Sequence, residues 1–115
     1  MNDKELLELA AIAEGNVSYW EYVENAYRDG RYIKQAYYSD LLEVTWNPLT
    51  DDGDALRLAV KLKLSMDLFE DFIVVGYTPN YSSPEQVQEV CNTDRYAATR
   101  RAIVRAAAEI GKEMK

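Results

Sequence analysis

The chain has 115 residues, a length that suits one globular domain over residues 1–115, and its 48% hydrophobic content can supply a core. Thirteen Lys and Arg against twenty Asp and Glu give a net charge of -7, which opposes binding of the bulk surface to nucleic-acid phosphates or anionic membranes, and no apolar run approaches the ~20 residues that span a bilayer. One cysteine, Cys91, excludes an intrachain disulfide, and the absence of histidine removes the commonest general base and transition-metal ligand, so neither a cofactor nor a catalytic centre is expected.

The opening MNDKELLELA lacks the basic and long apolar regions of a secretory signal and reads as cytoplasmic sequence. Asn2 or Asp3 can cap a first helix, Leu6, Leu7, Ala10 and Ala13 recur at helical spacing, and Gly15 ends it, which predicts a helix from about Asp3 to Glu14. From Val17 to Tyr38 aromatic and β-branched residues flank Asp29-Gly30, a type I′ turn dipeptide. A two-residue loop there sets Tyr27 opposite Tyr32, Val23 opposite Ala36, Tyr22 opposite Tyr37, and Arg28 opposite Arg31. Both faces of this hairpin carry aromatics, so alternation leaves the core face open.

Leu41–Trp46 reads as a strand or a connection, closed by Asn47-Pro48. Thr50, Asp51 and Asp52 are candidate caps for a second helix ending near Lys63, with Ala55, Leu58, Ala59 and Leu62 as its apolar stripe. The run Phe72–Val75 suits a buried strand and predicts a second hairpin with its turn near Glu70-Asp71, Thr78–Pro84 reads as a loop, and Gln86–Cys91 reads as an edge strand. Asn92, Thr93 and Asp94 can cap a third and longest helix whose stripe is Tyr96, Thr99, Ile103, Ala106, Ala107, Ile110 and Met114. The order predicts an α+β domain in which an antiparallel or mixed sheet of about four to five strands is covered by three helices.

The blocks Trp46–Val60, WNPLTDDGDALRLAV, and Arg95–Ala107, RYAATRRAIVRAA, resemble a family of small phage- and prophage-encoded proteins described as having a phage "ABA sandwich" domain. The resemblance implies a phage or prophage origin, a location in the cytoplasm of the host bacterium and an ABA-sandwich-like α/β arrangement. It carries over no catalytic residue.

Asp51, Asp52 and Asp54 invite a metal reading, but an EF-hand with Gly53 as its turn glycine needs oxygen ligands where Pro48 and Thr50 stand and a bidentate carboxylate at Ala59. Capping of a helix start explains all three, so no metal site is expected. Trp46 and Pro48 read as a staple packed on that helix, and Cys91 as an inert thiol. Residues 95–115 hold six basic and two acidic groups, a basic island in an otherwise acidic chain. Arg101 and Arg105 lie one turn apart there, and Arg105 can pair with Glu109.

Six of the nine tyrosines lie between Tyr19 and Tyr38, more large rings than one face of a hairpin can bury. Tyr19, Trp20, Tyr22, Tyr27, Tyr32, Tyr37 and Tyr38 are therefore candidate partner-binding residues. Three functions compete. The preferred one is a non-enzymatic phage accessory protein that binds and modulates a bacterial host protein, such as a component of antiviral defence, its acidity suiting a groove that otherwise takes nucleic acid. The alternative is an oligomeric binder that sequesters a nucleotide signal through Arg100, Arg101 or Arg105. An enzyme is the third.

Overall fold

The computed structural model describes residues 2–15, 27–28, 31–36, 39–78 and 83–114, with the side chains of 27–45 left aside. Helix α1, Asp3–Glu14, starts where the Asn2 side chain accepts the Glu5 amide and stops where Gly15 turns left-handed at φ 90°, its N–H donating to the Ala11 and Ile12 carbonyls. A non-glycine residue would be strained at that angle. Helix α2, Asp52–Lys61, is capped by Asp51, which accepts the Asp54 amide. It ends in a Schellman arrangement in which Lys63 donates to Val60 and Leu64 to Ala59, with Lys63 at φ 55° in the position glycine usually holds. Helix α3, Arg95–Met114, begins at Asp94, whose carboxylate accepts the Tyr96 and Ala97 amides.

The strands are β1 (Tyr27–Arg28), β2 (Arg31–Ala36), β3 (Ser39–Trp46), β4 (Ser65–Leu68), β5 (Phe72–Tyr77) and β6 (Glu85–Val90). Tyr27 pairs with Tyr32 and Arg28 with Arg31, the register that Asp29-Gly30 predicts, whereas the pairs expected at Tyr22 and Val23 lie outside the described residues. Leu41–Trp46 is strand, within β3. The β4–β5 hairpin turns at 69–71, and Gln86–Val90 lies in β6, an edge strand beside β5.

The expectation of one sheet of about four to five strands is corrected. The described strands form two antiparallel sheets, β1-β2-β3 and β4-β5-β6, each three-stranded. Short connections pair each strand with its sequence neighbour, and the Asn47–Thr50 turn with α2 carries the chain away from β3 before β4 begins.

The core joins the three helices to one face of the second sheet. Ile73, Val75 and Val87 point from β5 and β6 toward α3, which also packs on α1 and α2. Ala102, Ile103 and Val104 are buried in succession, and so are Ala106, Ala107 and Ala108. Three consecutive positions sweep ~200° of a helix, so the middle of α3 is enclosed on most sides rather than along one stripe. That corrects the predicted stripe at both ends, because Tyr96 and Met114 lie beyond the enclosing elements and are exposed.

Alanine dominates α3 because its neighbours sit close. The closest approach is at Gly111, where a Cβ would stand 2.8 Å from the carbonyl carbon of Leu9 and 3.2 Å from its Cα. Alanine would favour the helix by ~1 kcal/mol on propensity alone. The obstacle is backbone of α1, which cannot swing aside as a side chain can, so overpacking wins. Gly111→Ala is expected to destabilise the protein by about 2 kcal/mol or more, read as a lower denaturation midpoint.

Candidate functional site

The acidic start of α2 is occupied by structural contacts. Asp54 accepts the Asn47 amide at 3.0 Å and an Arg57 guanidinium N–H at 2.8 Å, while Asn47 folds its own side chain onto the Leu49 amide at 2.9 Å. Asp52 takes Arg100 from α3 at 2.5 Å, and the same guanidinium donates through Nε to the Leu49 carbonyl at 2.9 Å. Trp46 and Pro48 are buried beside this turn. The carboxylates thus cap α2 and fasten it to α3.

Of the arginines offered as an anion site, Arg101 and Arg105 flank Glu89 in one groove, and Arg100 stands apart from them. Arg100 faces α2, whereas Arg101 reaches Asp3 of α1 at 3.1 Å and Arg105 reaches Glu89 of β6 at 2.6 Å and the Gln88 carbonyl at 2.8 Å. The expected Arg105 to Glu109 pair gives way to this cross-element bond, and Glu109 is held by Lys112 at 3.0 Å. Sequence spacing sees only partners on the same helix, and β6 supplies a closer one. Between α1, β6 and α3 an open groove of about 510 Å³ is lined by Leu6, Glu89, Arg101, Arg105, Glu109 and Lys112. A phosphate entering it would compete with carboxylates already paired to both arginines, which weakens the groove as an anion site.

Of the aromatic candidates, Tyr27 and Tyr32 stand opposite each other across β1 and β2. Tyr19, Trp20, Tyr22, Tyr37 and Tyr38 lie outside the described residues. A second apolar cluster emerges at the turn end of the β4-β5-β6 sheet. Phe69, 48% exposed, stacks on Phe72 with ring centroids 4.7 Å apart, and Val90, 60% exposed, is the β6 partner of Phe72. Arg95 donates to the Phe69 and Glu70 carbonyls at 2.6 and 2.9 Å, which brings the start of α3 and Tyr96, 70% exposed, to the same end. The helical period puts Tyr96 on the apolar stripe of α3, where it is exposed instead, and the run Phe72–Val75 in a strand, which Phe72 opens half-buried. The usable signal was the pair Phe69 and Phe72 flanking Glu70-Asp71, since rings that bracket an exposed turn have little core within reach.

Cys91 is half-buried, and its amide donates to the Asp71 carbonyl at 2.9 Å. Among the described residues no helix is long and apolar enough to cross a membrane. No protein-family model, no curated protein and no solved structure matches the chain.

The geometry separates the arginines by how much each contributes to stability. Arg100 has only 16% of its side chain exposed and bonds a backbone carbonyl as well as a carboxylate. Arg100→Ala is expected to cost about 1.5–3 kcal/mol, against less than about 1 kcal/mol for Arg101→Ala, both measured by chemical denaturation. Tyr77 provides a pH test. Burial first, then Glu109, Glu85 and Glu113, hold its phenol above the ordinary 10.0. The unfolded chain therefore ionises first, so this stability is complete below pH ~10 and is lost as the pH rises through the folded value. Above pH 10 the denaturation midpoint is expected to fall more steeply for the native chain than for Tyr77→Phe.

Proposed function

We propose that the chain is a non-enzymatic, protein-binding accessory protein, and that it binds and modulates a protein of the bacterial host. The phage or prophage setting, with a defence component as a target and the host cytoplasm as the location, rests on the resemblance of Trp46–Val60 and Arg95–Ala107. The single observation that carries the binding role is the turn end of the second sheet, where the exposed Phe69 stacks on the half-buried Phe72 beside the exposed Val90, with the exposed Tyr96 at the start of α3 brought to the same end by Arg95. Aromatic residues that give rigid contact area at low entropy cost, set at the end of an acidic domain, have the composition of an interface centre. Tyr27 and Tyr32, with the other rings between Tyr19 and Tyr38, are proposed as a second contact region of the same kind.

The alternative, capture of a nucleotide signal, is disfavoured by the intramolecular bonds that occupy Arg100, Arg101 and Arg105. Affinity capture from a bacterial lysate, followed by titration of the purified partner, tests the proposal. Phe69→Ala and Tyr96→Ala are each expected to weaken the complex by about 2 kcal/mol, the scale of an interfacial hot spot, while leaving the denaturation midpoint nearly unchanged. An unchanged affinity in both variants, or a saturable rise in melting temperature with nucleotides alone, would overturn it.

A further inference from the structure

Among the described residues, strand β4 has a partner strand on one side only. Which of its polar groups face the other side follows from the hairpin. The Phe69 amide donates to the Phe72 carbonyl at 3.0 Å, so Phe69 and Phe72 form an exchanging pair. Exchanging and non-exchanging pairs alternate along an antiparallel ladder, so Asp67 with Val74 and Ser65 with Gly76 also exchange bonds. Met66 and Leu68 therefore turn their N–H and C=O groups toward the open edge. All four residues of β4 are exposed, and Met66 and Leu68 are 39% and 61% exposed although they share the helix-covered face with Val75 and Ile73.

We propose that this edge pairs with the β4 edge of a second copy of the chain, joining two three-stranded sheets into one across a two-fold axis. An antiparallel pair of identical strands must centre on a residue facing itself, and the chemistry selects among these registers. Centred on Asp67, the pairing sets two carboxylates against each other. Centred on Met66, it sets Met66 against Met66, Leu64 against Leu68 on the helix-covered face, and Ser65 against Asp67 on the other, where the hydroxyl can donate to the carboxylate. In this register the two Met66 residues exchange main-chain bonds. Each Leu68 amide meets a Leu64 carbonyl, while the Leu64 amide stays on Ala59.

Charge favours the same arrangement. One end of β4 carries the exposed Lys61 and Lys63, and the other carries the exposed Glu70 and Asp71. An antiparallel two-fold lays the basic end of each copy beside the acidic end of the other, which offsets locally the repulsion between two chains of net charge -7. The edge is only lightly protected: β4 is short and carries Asp67, but it contains no proline or lysine and no bulge interrupts its ladder.

Sedimentation equilibrium of the full chain from ~10 to ~500 μM tests the proposal, because self-association makes the mass depend on concentration. The native chain is expected to move from 13.2 kDa toward twice that mass. Met66→Pro removes an amide that points to the open edge and leaves the β4–β5 bonds in place, so it is expected to abolish dimerisation with an unchanged circular dichroism spectrum. Lys63→Glu and Glu70→Lys should each raise the dimer Kd about tenfold, and the double variant should restore it to within about threefold. A native chain that stays at 13.2 kDa throughout overturns the proposal and leaves the edge to a strand of a different protein. A dimer that persists in Met66→Pro, or charge variants that fail to compensate, overturns it as well. Tyr96 stands on α3, off the β4 edge, so the Tyr96→Ala titration and the sedimentation result can fail independently.

Discussion

The backbone of α1 lies against α3 at Gly111, where no side chain can be interposed, and the way α2 and the second sheet pack on α3 follows from that approach. With Leu9 main-chain atoms at the surface of α3, the helices are too close for large side chains, and the sequence answers with Ala98, Ala102, Ala106, Ala107 and Ala108. A slim helix can then be enclosed on several sides at once, by α1, by α2 and by the Ile73, Val75 and Val87 face of the second sheet. Large buried residues such as Leu7, Leu58 and Val104 fill the volume the alanines leave.

The charges of α3 extend the same role. Arg95 fastens the β4–β5 turn, Arg100 the start of α2, Arg101 the start of α1, and Arg105 the edge strand β6. A basic helix in an acidic chain is in this protein largely a device for internal cohesion, with guanidinium forks chosen where carbonyl and carboxylate must be held together. Among the described residues, the apolar end of the second sheet and the edge of β4 are left clear of these arginine contacts.

Helix boundaries were legible because their signals are local. Asn2, Gly15, Asp51 and Asp94 act through groups only a few residues away, and they cap as their positions suggest. The Tyr27 to Tyr32 register was legible for the same reason, since a two-residue turn fixes it. Contacts between distant segments were not. Gly111 in a helix reads as a local weakness, and only the arrival of Leu9 explains it. Arg105 offers Glu109 to a reader of spacing and takes Glu89 in the fold. Tyr96 and Met114 keep the helical period of the core yet lie past its edge, because periodicity specifies a face and not how far along that face neighbours extend. The division into two sheets was hidden as well, since nothing in a strand's composition names a partner beyond its own hairpin.

Contacts made by small side chains and backbone have a short range. A radial gap of 0.5–1 Å already forfeits a quarter to a half of the dispersion attraction, whereas long interdigitating side chains keep touching as they slide. The seat of α1 on Ala-rich α3 is therefore nearly binary. The helix is either home or detached, with little stable ground between, and the ion pairs of Asp3 with Arg101 and of Glu14 with Lys61 at 3.9 Å are too exposed or too long to hold it halfway. Such a joint makes α1 a single cooperative opening unit, in which the amides from Leu6 to Ala13 share one protection against solvent exchange instead of fraying by degrees.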